Sequence, residues 1–233
     1  MKLSTSSKLK IHTETLGEEQ TPVLIVDNFI EQVDCLIEFA AQQNFFRPPG
    51  YYPGVRANAS AAYQVLLIKL IRPYLKTLFN ITHTQMRASQ TQFSLATQAA
   101  NNLHLLQRIP HFDSTQDNSL ATVHYLFKQD FGGTGFYRHK KTNFERITKA
   151  RLTAYLKSLE SENGTENMPK KRDGYINGDT RLFSQIAKQE ARFNRLLVYP
   201  QNILHSGDIP NTFVPDNRAR NGRLTLNTFI DVL

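Results

Sequence analysis

The feature that most constrains the fold is a change in character near residue 90. From there onward the chain carries short segments rich in β-branched and aromatic residues, separated by turn-forming sequences such as FGG and NG. We predict one helix in TRLFSQIAKQEAR and strands in TQFSLAT, LHLLQRIPHFD, LATVHYLF, GTGFYRH, RFNRLLVYP and GRLTLNTFIDVL. Many short strands after a helical beginning predict an α+β domain whose core is a jelly roll or a similar double sheet.

The first 90 residues are organised differently. TPVLIVDNFI (21–30) predicts a buried strand, EQVDCLIEFAAQQ a helix that buries Cys35, and 61–79 a second helix broken near Pro73. Segment 44–60 is rich in proline, glycine and aromatic residues, so we predict an irregular loop, which is either a lid or a well-packed surface loop.

The domain organisation follows from these segments. No linker separates them, so we predict a single domain over residues 1–233. Residues 1–90 would hold the N-terminal strand, the helices and the lid-like loop, and residues 91–233 would form the sheet core.

Composition restricts the class of protein. The hydrophobic fraction of 40% and the charged fraction of 21% are typical of an ordinary globular protein. There is no run of 18 apolar residues and no secretory signal pattern, so we expect a cytoplasmic protein without a membrane partner. A single cysteine excludes a disulfide framework and a cysteine-rich zinc site. The sequence leaves a homodimer open.

The net charge of +8 allows a second class of function, binding to nucleic acid. Much of the excess lies in segments 138–157 and 169–172, which are typical of a solvated helix and a mobile loop. We therefore expect no nucleic-acid partner, and we keep a basic nucleic-acid-binding protein as an alternative.

The segment RIPHFDS (108–114) suggests a metal site. In a predicted strand, alternate residues share a face, so Gln107, Ile109, His111 and Asp113 would project together. His205 follows another predicted strand and a turn. Two histidines and one carboxylate form the facial triad that favours non-haem Fe(II).

An arginine lies on the last predicted strand. The alternation in GRLTLNTFIDVL separates two faces, one with Leu224, Leu226 and Ile230 and the other with Arg223, Thr225, Asn227 and Phe229. An arginine that points into a sheet core is costly unless it meets an anion, and a bidentate carboxylate meets that need. The pattern therefore favours a carboxylate ligand for Arg223, and an Arg-x-Thr near the metal is what a dicarboxylate co-substrate would require.

These residues carry a family resemblance. The order His111-Phe-Asp113, then His205, then Arg223-Leu-Thr225 resembles the Fe(II)- and 2-oxoglutarate-dependent dioxygenase superfamily. Three further segments are similar to its prolyl-hydroxylase-like branch: HYLF (124–127), FGGTGF (131–136) and NRLLVYP (194–200). The segment YPGVRA (52–57) resembles an uncharacterised bacterial family within the superfamily.

The resemblance implies a fold and a reaction. The fold would be a double-stranded β-helix, or jelly-roll, core with N-terminal helices packed on its major sheet. The reaction would be hydroxylation of an aliphatic C–H bond of an amino acid, a peptide or a small metabolite. Fe(II) would be the cofactor, 2-oxoglutarate and O2 would be consumed, and succinate and carbon dioxide would be released.

The resemblance also implies roles for particular residues. His111, Asp113 and His205 would bind iron and form the catalytic centre. Arg223, with Thr225 beside it, and Tyr125 would bind the distal carboxylate of 2-oxoglutarate. The substrate contacts expected from the lid-like loop and the metal side are Tyr51, Tyr52, Arg56 and Gln107.

One departure leaves alternatives open. His205 and Arg223 are 18 residues apart, a longer interval than the family pattern, so residues 209–221 would be an insertion. Arg218 or Arg220 could then replace Arg223 as the anchor. A further alternative is a β-helix protein that binds a metal or a small ligand without oxidising anything.

Overall fold

Two antiparallel sheets form the framework of this computed structural model, which describes residues 2–233. The larger sheet has seven strands in the order β1-β2-β8-β5-β10-β4-β3, and the smaller has three in the order β7-β6-β9. The strands are β1 Lys10–Leu16, β2 Thr21–Asp27, β3 Gly54–Asn58, β4 Met86–Ala96, β5 Ser119–Tyr125, β6 Gly133–His139, β7 Phe183–Gln189, β8 Leu196–Pro200, β9 His205–Asp208 and β10 Arg223–Val232. The α-helices are α1 Val33–Ala41, α2 Ala61–Ile71, α3 Tyr74–Thr77 and α4 Lys149–Glu160.

The seven-stranded sheet is buried on both faces, as its β2 strand illustrates. Leu24 and Val26 pack in the cluster that contains α1 and α2 residues, whereas Val23 and Ile25 pack on the opposite side with Phe136 of β6. Alternate side chains of a strand project to opposite faces, so one hydrophobic run supplies two layers. The N-terminal helices therefore cover one face of the large sheet, as predicted, and the small sheet covers some of the other. Within residues 2–233, no helix has the length and apolar character needed to cross a membrane.

Strand β10 confirms the alternation predicted for the C-terminal segment. Leu224, Leu226 and Ile230 belong to the cluster beneath the helices. Arg223, Thr225, Asn227 and Phe229 line a cavity on the other face. β10 pairs with β4 and β5, so these cavity residues project from a central position of the sheet.

Two predicted elements in the second half are wrong. Residues 180–192, predicted as a helix, contain strand β7, which pairs with β6 over six residues. Its alanine, lysine and glutamine favour a helix locally, but the pairing decides the conformation. The segment 103–113, predicted as a strand, instead contains a 3-10 helix over Leu105–Gln107 and an isolated bridge at His111.

Two further predictions in the first half are corrected. The loop 44–60 is regular over some of its length, because β3 within it pairs with the edge of β4, and Phe46 bridges to Arg56. Cys35 is exposed rather than buried. Helix α1 buries the face that carries Val33, Leu36 and Ala40. Cys35 lies outside this face and is exposed to solvent. The predicted break at Pro73 is confirmed by the separation of α2 from α3.

Candidate metal centre

Backbone hydrogen bonds bring the predicted triad together. The amide of His111 donates to the carbonyl oxygen of His205 at 2.9 Å, and the amide of His205 donates to the carbonyl oxygen of His111 at 2.8 Å. The amide of Asp113 donates to the carbonyl oxygen of Gln201 at 2.8 Å, on the turn that precedes β9. The three side chains are thus positioned by the main chain although His205 is distant from the other two in sequence.

The triad has the geometry of a ligand set. His111 Nε2 lies 3.6 Å from Asp113 Oδ1, and His205 Nε2 lies 3.5 Å from Asp113 Oδ2. The candidate donor atoms of all three residues lie within 4.8 Å of one another. Among the described residues no group donates a hydrogen bond to either oxygen of Asp113, and the two nitrogen–oxygen distances are long for hydrogen bonds. A carboxylate held beside two imidazoles without a donor fits a divalent cation with mixed nitrogen and oxygen ligands.

Burial keeps both histidines in the form that binds metal. Burial lowers the pKa of His205 to about 4, against a hydrogen bond to the backbone that acts in the opposite direction. Burial, followed by the nearby His205, also lowers the pKa of His111 to about 4. His111 has 56% of its side-chain surface accessible because its imidazole borders a cavity, whereas only 7% of the His205 side chain is accessible. Both rings are therefore neutral near pH 7.

The orientation of His205 is fixed by a second contact. Its Nδ1 donates to the carbonyl oxygen of Ile203 at 2.9 Å, which leaves a lone pair on the Nε2 that faces Asp113. The ring of Tyr199 packs against the same imidazole, with ring centroids 4.9 Å apart. An imidazole held at its remote nitrogen is the arrangement that metal-binding histidines commonly have.

Arg223 borders the same cavity as the triad, which has a volume of about 660 Å3. Its Nε donates to the carbonyl oxygen of Phe131 at 3.0 Å, and its Nη2 donates to those of Gly132 and Gly133 at 3.2 and 2.9 Å. Nη1 donates to no acceptor within residues 2–233. The guanidinium is thus held firmly by one edge, while another edge remains available to an anion in the cavity.

The other predicted co-substrate contacts occupy different positions. Thr225 lines the cavity, and its hydroxyl donates to Asn227 Oδ1 at 2.7 Å. Tyr125 is fully buried, and its hydroxyl lies 2.6 Å from Oγ1 of Thr134, which lines the cavity. Burial raises the pKa of Tyr125 to about 12. Tyr125 therefore stays neutral, one layer behind the cavity wall.

The predicted substrate contacts all line the cavity: Tyr51, Tyr52, Arg56 and Gln107. The amide of Gln107 is already engaged, because its Nε2 donates to the carbonyl oxygen of Tyr51 at 2.9 Å and its Oε1 accepts from the amide of His104 at 2.6 Å. The ring of Tyr51 stacks on His104 at 4.9 Å. These contacts tie the loop 44–60 to the segment that carries His111.

The alternative anchors lie elsewhere. Arg218 pairs with Asp216 at 2.5 Å, and Arg220 pairs with Glu38 at 2.5 Å. Their side chains are 74% and 57% accessible, and neither lines the cavity. Arg223 is the arginine of strand β10 that reaches the cavity, as the alternation predicted.

Several cavity residues were not predicted. Three tyrosine side chains form part of the cavity wall: Tyr155 of α4, Tyr175 of the following loop and Tyr199 of β8. The alternation in β8 places Tyr199 on the same face as Leu197, which is a signal that sequence reasoning could have used. No comparable signal points to Tyr155 or Tyr175.

Residues 7–230 match a protein family described as "Family of unknown function (DUF6445)". The chain belongs to this family. No curated protein matches the chain.

Solved structures extend the comparison to the fold. The chain is similar to HygX from Streptomyces hygroscopicus with nickel, 2-oxoglutarate and hygromycin B bound, at 13% identity over 93% of this chain and 87% of that one, with a TM-score of 0.50. A second HygX structure, with nickel and 2-oxoglutarate bound, is 14% identical over the same shares, also with a TM-score of 0.50. At this identity the likeness shows that the DUF6445 chain shares the overall fold of HygX.

Proposed function

We propose that the chain is an Fe(II)- and 2-oxoglutarate-dependent oxygenase. It would hydroxylate an aliphatic C–H bond of an amino acid, a peptide or a small metabolite and release succinate and carbon dioxide. The observation that carries the proposal is one cavity bordered both by a His-Asp-His ligand set and by an arginine with a free edge. The likeness in fold to HygX, whose crystals hold nickel and 2-oxoglutarate, supports the same assignment.

His111, Asp113 and His205 would hold the iron. Such a triad occupies one face of the ion and leaves other positions open. Iron with 2-oxoglutarate and oxygen supplies the oxidising chemistry, and the protein supplies binding and orientation. The two sheets would then be the double-stranded β-helix of the superfamily, with the prolyl-hydroxylase-like branch as the closest pattern in sequence.

The chain's own residues would act mainly by positioning. The hydrogen bond from His205 to Ile203 fixes the ligand nitrogen before metal binds, and the lack of described donors at Asp113 keeps its charge available to the ion. Arg223 would bind the distal carboxylate of 2-oxoglutarate, with Thr225 beside it and Tyr125 behind the wall. The aromatic and aliphatic side chains around the cavity would limit the access of water.

The test uses the purified chain, reconstituted with Fe(II) and ascorbate and incubated with 2-oxoglutarate in air. We expect bound iron near one ion per chain, measured by metal analysis, and succinate formed even without a substrate at the slow rate of uncoupled turnover. His205→Ala should lose both signals because it removes one of three ligands. His83→Ala serves as the matched control, since His83 is exposed and outside the triad.

The outcomes separate the proposal from its alternative. Iron binding that depends on His205 without any succinate would support a non-catalytic metal-binding protein instead. Wild-type protein that binds no iron, or a His205→Ala variant that behaves as wild type, would refute the oxygenase proposal.

A further inference from the structure

The cavity contains a second arginine, Arg56, which has no hydrogen-bonding partner for its side chain among the described residues. Its backbone is fixed in β3 and by a reciprocal pair of hydrogen bonds with Phe46, both 2.8 Å long. Its side chain enters the cavity, with Cζ 4.7 Å from the centroid of the Tyr52 ring. Within residues 2–233 the guanidinium lies within 4.0 Å of no carboxylate, and its Nε is buried without an acceptor.

Arg56 is half-buried, and the buried arginines of the described residues all have partners. The Nε of Arg108 also lacks an acceptor, but its Nη2 donates to the carbonyl oxygen of Leu103. Arg195 pairs with Asp27 through two contacts of 2.6 and 2.9 Å. Arg223 donates to three carbonyl oxygens. A buried donor that lacks an acceptor is destabilising, and more so when it is charged. The guanidinium of Arg56 is therefore available to an anion that enters the cavity.

Arg56 lines the same cavity as the candidate metal ligands His111, Asp113 and His205. An anion bound by Arg56 would thus lie in the cavity that contains the reacting centre.

The balance of charge in the cavity leaves room for one more anion. Asp113 is the only acidic side chain among the described residues that line the cavity, against the two arginines Arg56 and Arg223. With a divalent ion bound, the excess of positive charge is three, and the two carboxylates of 2-oxoglutarate reduce it to one. An enclosed charge of this kind is stabilised by an opposite charge. A single carboxylate on the organic substrate would neutralise it.

The other residues of the cavity wall indicate the character of the rest of the organic substrate. It is mainly apolar and aromatic, with Leu106, Ile109, Phe112, Tyr155, Leu156 and Phe229. The volume of about 660 Å3 lies within the range of small-molecule sites, roughly 300–1,000 Å3. A molecule with one anionic end and an apolar body fits both the charged and the apolar regions of the cavity.

We propose that Arg56 binds a carboxylate of the organic substrate, so that the substrate class is a small monocarboxylate with an apolar body. This inference rests on the proposed function, and it names the substrate class of the same site. The carboxylate of 2-oxoglutarate has the same chemistry, so the experiment must separate the two sources.

The experiment measures binding rather than turnover. The protein is loaded with Ni(II) and 2-oxoglutarate, which together do not react with oxygen, and its melting temperature is recorded with a panel of probes. The panel contains the N-acetyl derivatives of the twenty standard amino acids, each as the free acid and as the matching primary amide. Titration calorimetry then gives the affinity of each acid that raises the melting temperature.

We expect at least one acid to stabilise the wild type while its amide does so much less. Arg56→Met should weaken that acid about 10- to 100-fold, because a charge-assisted hydrogen bond is lost, and Arg56→Lys should weaken it less. Arg47→Met is the matched control, because Arg47 is exposed, lies outside the cavity wall and belongs to the same segment. Every variant should keep the stabilisation by Ni(II) and 2-oxoglutarate.

Three results would overturn the inference. The first is a wild type that responds equally to every acid and its amide, or that responds to no probe. The second is unchanged acid binding in Arg56→Met. The third is loss of the 2-oxoglutarate response in Arg56→Met, which would assign Arg56 to the co-substrate. If neither Ni(II) nor 2-oxoglutarate raises the melting temperature of the wild type, the proposed function itself is refuted. The first melting measurement, made before any probe is added, reveals this outcome.

Discussion

His124 should make the stability of the fold sensitive to acid. Its imidazole is fully buried on β5 and does not line the cavity that holds the candidate metal centre. Its Nδ1 lies 3.3 Å from the hydroxyl of Tyr63, and its Nε2 lies 3.0 Å from Oδ1 of Asn194. Phe29 packs edge-on against the ring, at 5.4 Å between centroids. Burial raises the pKa of Tyr63 well above its usual value, so none of these three neighbours carries a charge.

The magnitude follows from the pKa in the two states. Burial lowers the pKa of His124 from 6.5 to about 4, although the hydrogen bond to Asn194 opposes the fall. The unfolded chain therefore takes up a proton as the pH falls below 6.5, and the folded protein does so only near pH 4. The contribution of neutral His124 to the free energy of unfolding is fully present above pH 6.5. It is lost as the pH falls from 6.5 to about 4, and the loss amounts to about 3 kcal/mol for this one residue.

The assay is urea unfolding at a series of pH values from 7.5 to 4, with a chelator present. His124→Gln is the comparison, because glutamine keeps hydrogen-bonding groups but does not titrate. Histidines elsewhere contribute equally to both proteins and cancel in the difference. We expect the wild type to lose about 3 kcal/mol more than the variant between pH 6.5 and 4. Equal losses in the two proteins would refute the reasoning.

The other predictions concern ion pairs and the co-substrate anchor. Asp27→Ala should lower the free energy of unfolding by roughly 3 kcal/mol, because it leaves the enclosed Arg195 without its carboxylate. Asp231→Ala, which breaks the exposed pair with Arg87, should cost less than about 1 kcal/mol in the same denaturation assay, and similar costs for both would contradict this explanation. Arg220→Met should leave the additional thermal shift by 2-oxoglutarate on the Ni(II)-loaded protein unchanged, whereas Arg223→Met should abolish that additional shift; the reverse result would move the anchor to the insertion.

The regions of the fold that sequence predicts well are those in which a periodic pattern has a single explanation. β10 has leucines on one face and polar residues on the other, so the face that carries Arg223 follows directly from the alternation. The reverse is true of β7, in which FSQIAKQ contains good helix formers. Its partner β6 lies far away in sequence, and pairing with β6 overrides the local preference.

The candidate site also combines features that the sequence predicts with features that it does not. Residue types and order lead to the candidates His111, Asp113 and His205, because few functions combine two histidines and a carboxylate in this pattern, and the structure brings these side chains together. The geometric reason offered from sequence, a continuous strand through His111, is wrong, since a single bridge to His205 performs that task. The unpaired state of Arg56 depends on what surrounds it in three dimensions, and sequence spacing carries no information about that.

The turn between β5 and β6 connects the two halves of the candidate site. Carbonyl oxygens of Phe131, Gly132 and Gly133 accept from Arg223, and Gly133 then begins the strand that pairs with β9. Gly132 has a φ of +70°, and a Cβ there would collide with the carbonyl oxygen of Asp208 at the end of β9. β9 begins at His205. The glycines therefore permit the close approach through which one sheet edge positions a candidate metal ligand and, at the same time, orients the arginine that would hold the co-substrate.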